Sequence, residues 1–146
     1  MNIFSKSEID PDHPQALVID FQLLFENLPG LFLVLLPNKD GTIVAMSNAL
    51  SKRFIQRRIN VIGRSIFEVV SDDPIDIEVS GVSKLRASLD RVREFKTVDA
   101  IQVQKSNVLR PDGSYELEYW NSVNSPVFDE SGNLAYIIYL VEGLTE

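Results

Sequence analysis

The strongest constraint on this fold lies in the last third of the chain. Three strand-like runs, Thr97 to Val108, Tyr115 to Val127 and Leu134 to Val141, follow one another with only short turns between them. Arg110-Pro111-Asp112-Gly113 separates the first two and Asp129-Glu130-Ser131-Gly132-Asn133 the last two. Both separators place Gly after acidic or Ser residues, and Gly supplies the positive φ that tight hairpin turns need. The three runs therefore read as a meander of neighbouring strands. Nearer the start, the apolar hexapeptide Leu31 to Leu36 and the short run Thr42 to Met46 flank Pro37-Asn38-Lys39-Asp40-Gly41, a further hairpin. Five strands suffice for one antiparallel sheet, and whatever is inserted between the second and third must cover one of its faces.

The insertion reads as helical. Ser47-Asn48 can cap a helix through Phe54 or beyond, with Ala49, Leu50, Phe54 and Ile55 inward. Gly63 breaks that pattern, and Ile66, Phe67, Val69 and Val70 form one more helical turn or two before Ser71-Asp72-Asp73-Pro74. From Gly81 to Phe95, Val82, Leu85, Leu89 and Val92 fall on one helical stripe. Ahead of the first strand, Leu17, Phe21, Leu24, Phe25 and Leu28 recur at helical spacing until Pro29-Gly30 stops the run. The expected class is α+β: a five-stranded antiparallel sheet, helices on one face and an N-terminal amphipathic helix. Residues 1–16, with Asp10-Pro11-Asp12-His13-Pro14, read as a polar lead, and 17–146 as a single domain.

Composition removes several chemistries. The chain holds no cysteine and one histidine, His13, so disulfides, thiolate nucleophiles and Cys/His zinc sites are excluded and no metal site is expected. Fourteen Lys and Arg against 21 Asp and Glu give a net charge of −7, the wrong sign for a chain-wide nucleic-acid footprint. The longest apolar run, Leu134 to Val141, has eight residues, far short of the roughly twenty of a membrane-spanning helix. With no signal-like segment at its start, the chain is expected to be cytoplasmic. Phosphate loops, nucleophile elbows and Gly-rich dinucleotide turns are missing, and Asp40, Asp112, Asp129 and Glu130 sit in turns that explain them, so no catalytic residue is assigned.

From Phe21 to Glu146 the chain resembles a PAS domain, the sensory module found in histidine kinases and other signalling proteins. The resemblance is carried, in order, by Leu24-Phe25-Glu26-Asn27-Leu28-Pro29-Gly30, Asn48-Ala49, Gly63-Arg64-Ser65-Ile66-Phe67-Glu68-Val69-Val70, Arg110-Pro111-Asp112-Gly113-Ser114, Asn124-Ser125-Pro126-Val127-Phe128-Asp129-Glu130-Ser131-Gly132 and the closing Glu142-Gly143-Leu144-Thr145-Glu146. The resemblance implies a cavity between a concave sheet face and the helices, and no particular reaction. Within the family, cysteine-linked flavin and cysteine-attached chromophores are impossible here. Haem is not expected, because the Gly81–Phe95 helix carries no His. A noncovalent flavin is left open by the counts, but Val141 stands where light-oxygen-voltage members place a flavin-contacting Gln.

Registering the turns on PAS relatives and applying strand parity sends Trp120, Ser122 and Asn124 inward, with Ile137, Tyr139 and Val141 beside them. On the preceding strand the same parity favours Gln102 and Gln104 inward over Ile101 and Val103. Gln102, Gln104, Trp120, Ser122, Asn124 and Tyr139 are thus the expected ligand-binding set, suited to a small polar or aromatic molecule held by neutral hydrogen bonds. The alternative is that they bond one another or water in a filled core, or face solvent. Leu117, Tyr119 and Val123 would face outward, where Leu17, Phe21, Leu24 and Phe25 of the first helix, or a second copy of the chain, would cover them. Lys52, Arg53, Arg57, Arg58 and Arg64 read as a solvated helix face offset by Asp72, Asp73, Asp76 and Glu78. The expected function is a sensor that binds a small molecule, dimerises, or both, to control an attached output domain such as a histidine kinase. The alternatives are a ligand-free interaction and dimerisation module and, more remotely, a small cofactor-free enzyme.

Overall fold

A computed structural model describes residues 17–54, 58–71 and 81–145. The polar lead, Ile55, Arg57 and the acidic residues Asp72, Asp73, Asp76 and Glu78 lie outside the described residues. In chain order the elements are α1 (Phe21–Asn27), β1 (Leu31–Leu35), β2 (Ile43–Met46), α2 (Asn48–Phe54), α3 (Arg58–Val61), α4 (Ile66–Val69), β3 (Val70–Ser71), α5 (Gly81–Phe95), β4 (Asp99–Leu109), β5 (Tyr115–Phe128) and β6 (Leu134–Thr145). The strands form one antiparallel sheet in the order β2-β1-β6-β5-β4-β3. The expected α+β architecture is therefore present, with one strand more than expected. β3 has two residues, paired to Val108 and Asn107, too short to carry an alternation that sequence could reveal.

Each hairpin closes as its residues require. Arg110 N–H donates to Ser114 O at 2.7 Å, Gly113 takes φ +89°, and the Asp112 carboxylate accepts from Ser114 N–H at 2.9 Å. In the β5–β6 turn, Asp129 accepts from the N–H groups of Ser131 and Asn133, both at 2.9 Å, and Gly132 takes φ +83°. These side-chain-to-backbone bonds are why Asp fills both turns.

The core lies between the sheet and α2 to α5. Leu33 and Leu35 of β1, Ile43 of β2, Ile66 of α4, Leu85, Leu89 and Val92 of α5, and Ile137 of β6 are all at most 3% exposed. The α5 stripe is buried as its spacing dictates. The N-terminal helix is shorter than its spacing implied. Asp20 caps it by accepting from Leu23 N–H at 3.0 Å, so Leu17 precedes the helix and is 82% exposed. α1 rests against α2 and the Phe32 ring and leaves Leu117 and Tyr119 each 37% exposed, so it does not provide the cover expected for the outer sheet face. No described helix is long and apolar enough to cross a membrane.

The β1–β2 turn is tied into the helical layer. Ile66 N–H donates to Gly41 O at 3.0 Å and Ser65 Oγ to Asp40 O at 2.5 Å. Gly41 has φ +56°, and a Cβ there would stand 2.8 Å from Ile66 Cγ2, whereas Gly132 at φ +83° has open space. Gly132→Ala is expected to cost about 1–2 kcal/mol from the left-handed backbone alone, and Gly41→Ala clearly more, in urea unfolding. Equal losses would mean that the Ile66 side chain yields without cost.

Candidate functional site

The inward row of β5 is polar over a stretch where a core strand is ordinarily apolar. Trp120, Ser122 and Asn124 are 2%, 1% and 0% exposed, as parity placed them, and the β6 residues Ile137, Tyr139 and Val141 are buried beside them. The register sets Asn124 opposite Tyr139 and Ser122 opposite Val141. From the other side β4 brings Gln104, fully buried, opposite Trp120.

Gln102 is a correction. The β4–β5 register shifts between Ile101 and Gln104, so that Ile101 and Gln104 both face the core. Gln102 and Val103 are exposed, Val103 by 57%. A bulge inverts parity on one side of itself, and nothing in the local residue types announced it. Gln102 instead lines a surface groove with Lys84, Arg91 and Ala100. The outward assignments hold, since Leu117 and Tyr119 are exposed and Val123 is half-buried.

The inward side chains form a neutral hydrogen-bond chain. Trp120 Nε1–H donates to Tyr139 Oη at 2.6 Å, and Tyr139 Oη–H donates to Gln104 Oε1 at 3.0 Å. Ser122 Oγ donates to the same Gln104 oxygen at 3.2 Å. Burial pushes the Tyr139 hydroxyl far above its usual range, against the opposing effect of the polar groups of Trp120, Ser122 and Gln104 around it, so the phenol stays protonated.

A second chain runs outward through α5. Asn124 Nδ2 donates to Ser88 Oγ at 2.9 Å, and the Asp99 carboxylate lies near the Ser88 hydroxyl. Arg91 grips the Asp99 carboxylate with two bonds of 2.9 Å and, with Ser88, holds it below the usual carboxylate range. Ser88 was missed in the sequence, although a hydroxyl on the buried α5 stripe between Leu85 and Leu89 is a signal for an inward bond.

Two atoms of this cluster stand out: Gln104 Nε2 and Asn124 Oδ1 are buried with no hydrogen-bond partner. Leaving a buried polar atom unpaired costs about 1–3 kcal/mol. Beside the polar cluster is a small cavity of about 20 Å³ between the sheet and α2 to α4, lined by Leu33, Met46, Phe54, Val61, Trp120 and Val141 among others. That space is about one water in size, but its apolar lining gives a water no partners. That volume is far smaller than a flavin's tricyclic ring, and Val141 in the lining offers no side-chain hydrogen bond. The expected basic cluster is split into separate pairs: Arg53 with Glu118 at 3.6 Å, Arg58 with Glu26 at 3.3 Å and Arg64 with Glu68 at 3.0 Å.

No family model and no curated protein matches this sequence. Solved structures do match its fold. The PAS domain of an HTR-like protein from Haloarcula marismortui is 19% identical with a TM-score of 0.56, over 84% of this chain and 87% of that one. The light state of the blue-light photoreceptor aureochrome's LOV domain is 16% identical at 0.55, covering 86% and 87%. An RNA-binding light-oxygen-voltage receptor is 18% identical at 0.59, over 84% of this chain and 31% of the receptor.

Removing the Tyr139 hydroxyl strands the Trp120 N–H, so Tyr139→Phe is expected to cost about 1–3 kcal/mol near neutral pH. The sign reverses at high pH. A phenol with its folded value raised stabilises fully below the unfolded value near 10 and loses that contribution above it. Above about pH 10 the native chain should lose stability relative to Tyr139→Phe, approaching about 1.4 kcal/mol per pH unit. Parallel slopes for the two proteins in urea unfolding would show that the phenol ionises within the native state.

Proposed function

We propose that this chain, whose fold is that of PAS domains, is a sensory module that recognises a small, neutral polar or aromatic molecule between its sheet and helices and passes the occupancy to an attached output domain, such as a histidine kinase. The observation that carries this is the pair of unpartnered buried amide atoms, the donor Gln104 Nε2 and the acceptor Asn124 Oδ1. A ligand that reached them would meet the first with an acceptor and the second with a donor. Trp120 and Tyr139 supply aromatic faces, and the absence of a buried charge within the Gln104, Trp120, Ser122, Asn124 and Tyr139 set favours a neutral ligand. A molecule larger than water enters by displacing the short helices α2 to α4, which wall the cavity with Leu50, Phe54, Val61 and Val69. In this reading the chain is cytoplasmic, holds neither flavin nor haem, and has no catalytic residue of its own.

A second reading, a dimerisation module, draws on the outer face. Leu117 and Tyr119 on the sheet are each 37% exposed, and Phe21 and Leu24 of α1 are 41% and 53% exposed, enough apolar surface to favour a second copy of the chain.

The two readings separate in a thermal-shift screen of the chain and of Asn124→Leu against a metabolite panel, with fluorescence of the single tryptophan, Trp120, as a second readout. A ligand at a hundredfold excess over its Kd should stabilise the native chain by about 2.7 kcal/mol, and Asn124→Leu should lose the shift. No stabilising compound, together with a monomer–dimer equilibrium weakened by Tyr119→Asp, would decide for the dimerisation module.

A further inference from the structure

α1 is turned inside out. Its half-buried residues are Phe25 and Glu26, while Phe21, Leu23 and Leu24 are 41%, 57% and 53% exposed. None of its residues is fully buried. A seven-residue helix is unstable alone in water, and this one has little apolar burial to hold it. Among the described residues, the contacts that dock it include a few polar ones and a ring contact, Phe25 against Phe32 with centroids 5.9 Å apart.

Those polar contacts converge on one side chain. Glu26 Oε2 lies 3.3 Å from Arg58 Nε, and Asn27 Oδ1 accepts from Asn48 Nδ2 at 3.2 Å. Asn48 Oδ1 in turn accepts from Arg58 Nη2 at 2.5 Å. The same guanidinium donates from Nε and Nη2 to Met46 O at 3.1 and 2.8 Å. Arg58 thus holds α1 twice, once directly and once through Asn48, while gripping the end of β2. Its planar fork explains why Arg, rather than Lys, can make these contacts together.

Arg58 also links two parts of the cavity lining, one through its guanidinium and one through its own helical turn. Met46, whose carbonyl it grips, lines the cavity, and so does Val61, at the other end of the single helical turn that carries Arg58. We propose that Arg58 is a relay that couples the position of this wall to the docking of α1. When Met46 and Val61 separate, the fork can no longer satisfy Met46 O, Asn48 and Glu26 at once, and α1 undocks. The bistable element is α1, docked or free, and the wall biases it. The relay rests on the ligand reading only for what moves the wall, so its test uses no ligand and can fail independently.

The test is hydrogen–deuterium exchange of the full chain, read on peptides over 21–28 and over β5 and β6. Arg58→Ala should raise exchange in 21–28 about tenfold, as expected for losing a charged hydrogen-bonded anchor, with β5 and β6 unchanged. Glu26→Ala, which removes only the direct ion pair, should raise it about threefold. The double variant should exceed neither Arg58→Ala alone nor its effect on β5 and β6. Val61→Leu, which presses an added methylene into the cavity wall, should raise exchange in 21–28 in the native background and not in Arg58→Ala. Unchanged 21–28 exchange in Glu26→Ala, multiplying effects in the double variant, or a Val61→Leu chain with α1 as protected as before would each overturn the relay.

Discussion

The inner face of β5 sets the terms for the rest of the molecule. β5 is flanked on both sides, so its backbone is committed to the ladder and its inward side chains have no route to water. A strand in that position is ordinarily apolar inside, because each polar atom placed there must find a partner within the protein. Here Trp120, Ser122 and Asn124 occupy it. Their demands recruit Gln104 from β4, Tyr139 from β6 and Ser88 from α5, so one polar row connects three strands and the long helix.

This has energetic and functional sides. The satisfied bonds fix the register of β4, β5 and β6 more tightly than apolar packing would, because a one-residue slip would strand every donor and acceptor at once. The two unsatisfied amide atoms hold an unfavourable energy in the same row. Buried groups that are nearly but not completely paired are where a small molecule can gain most from a few hydrogen bonds. On the far side of the cavity the wall is made of the short helices α2 to α4, which contribute Leu50, Phe54, Val61 and Val69.

Much of the fold was legible in the sequence, for local reasons. Asp112-Gly113 and the Asp129 to Gly132 turn fixed the meander, since their side-chain bonds and positive φ are properties of a few adjacent residues. The Gly81–Phe95 stripe fixed α5 to its ends. Less legible were the features that depend on distant partners. β3 exists because β4 has an edge to offer Val70 and Ser71. α1 begins at Phe21 because Asp20 caps it, and it turns Glu26 inward because Arg58, 32 positions further along the sequence, is there to meet it.

For the candidate site the division is sharper. Alternation along β5 and β6 determined that Trp120, Ser122 and Asn124 share one face and that Tyr139 shares one with Ile137 and Val141, a matter of counting, while the resemblance to PAS domains supplied which face is inward. Counting also settled that no thiol enters the chemistry. Only the tertiary structure decided that Gln104 faces the core and Gln102 does not, since a bulge is a compromise between two paired strands and is written in neither alone. It likewise decided that the interior is nearly filled, because cavity volume is the small difference between large packed volumes contributed by residues far apart in the chain.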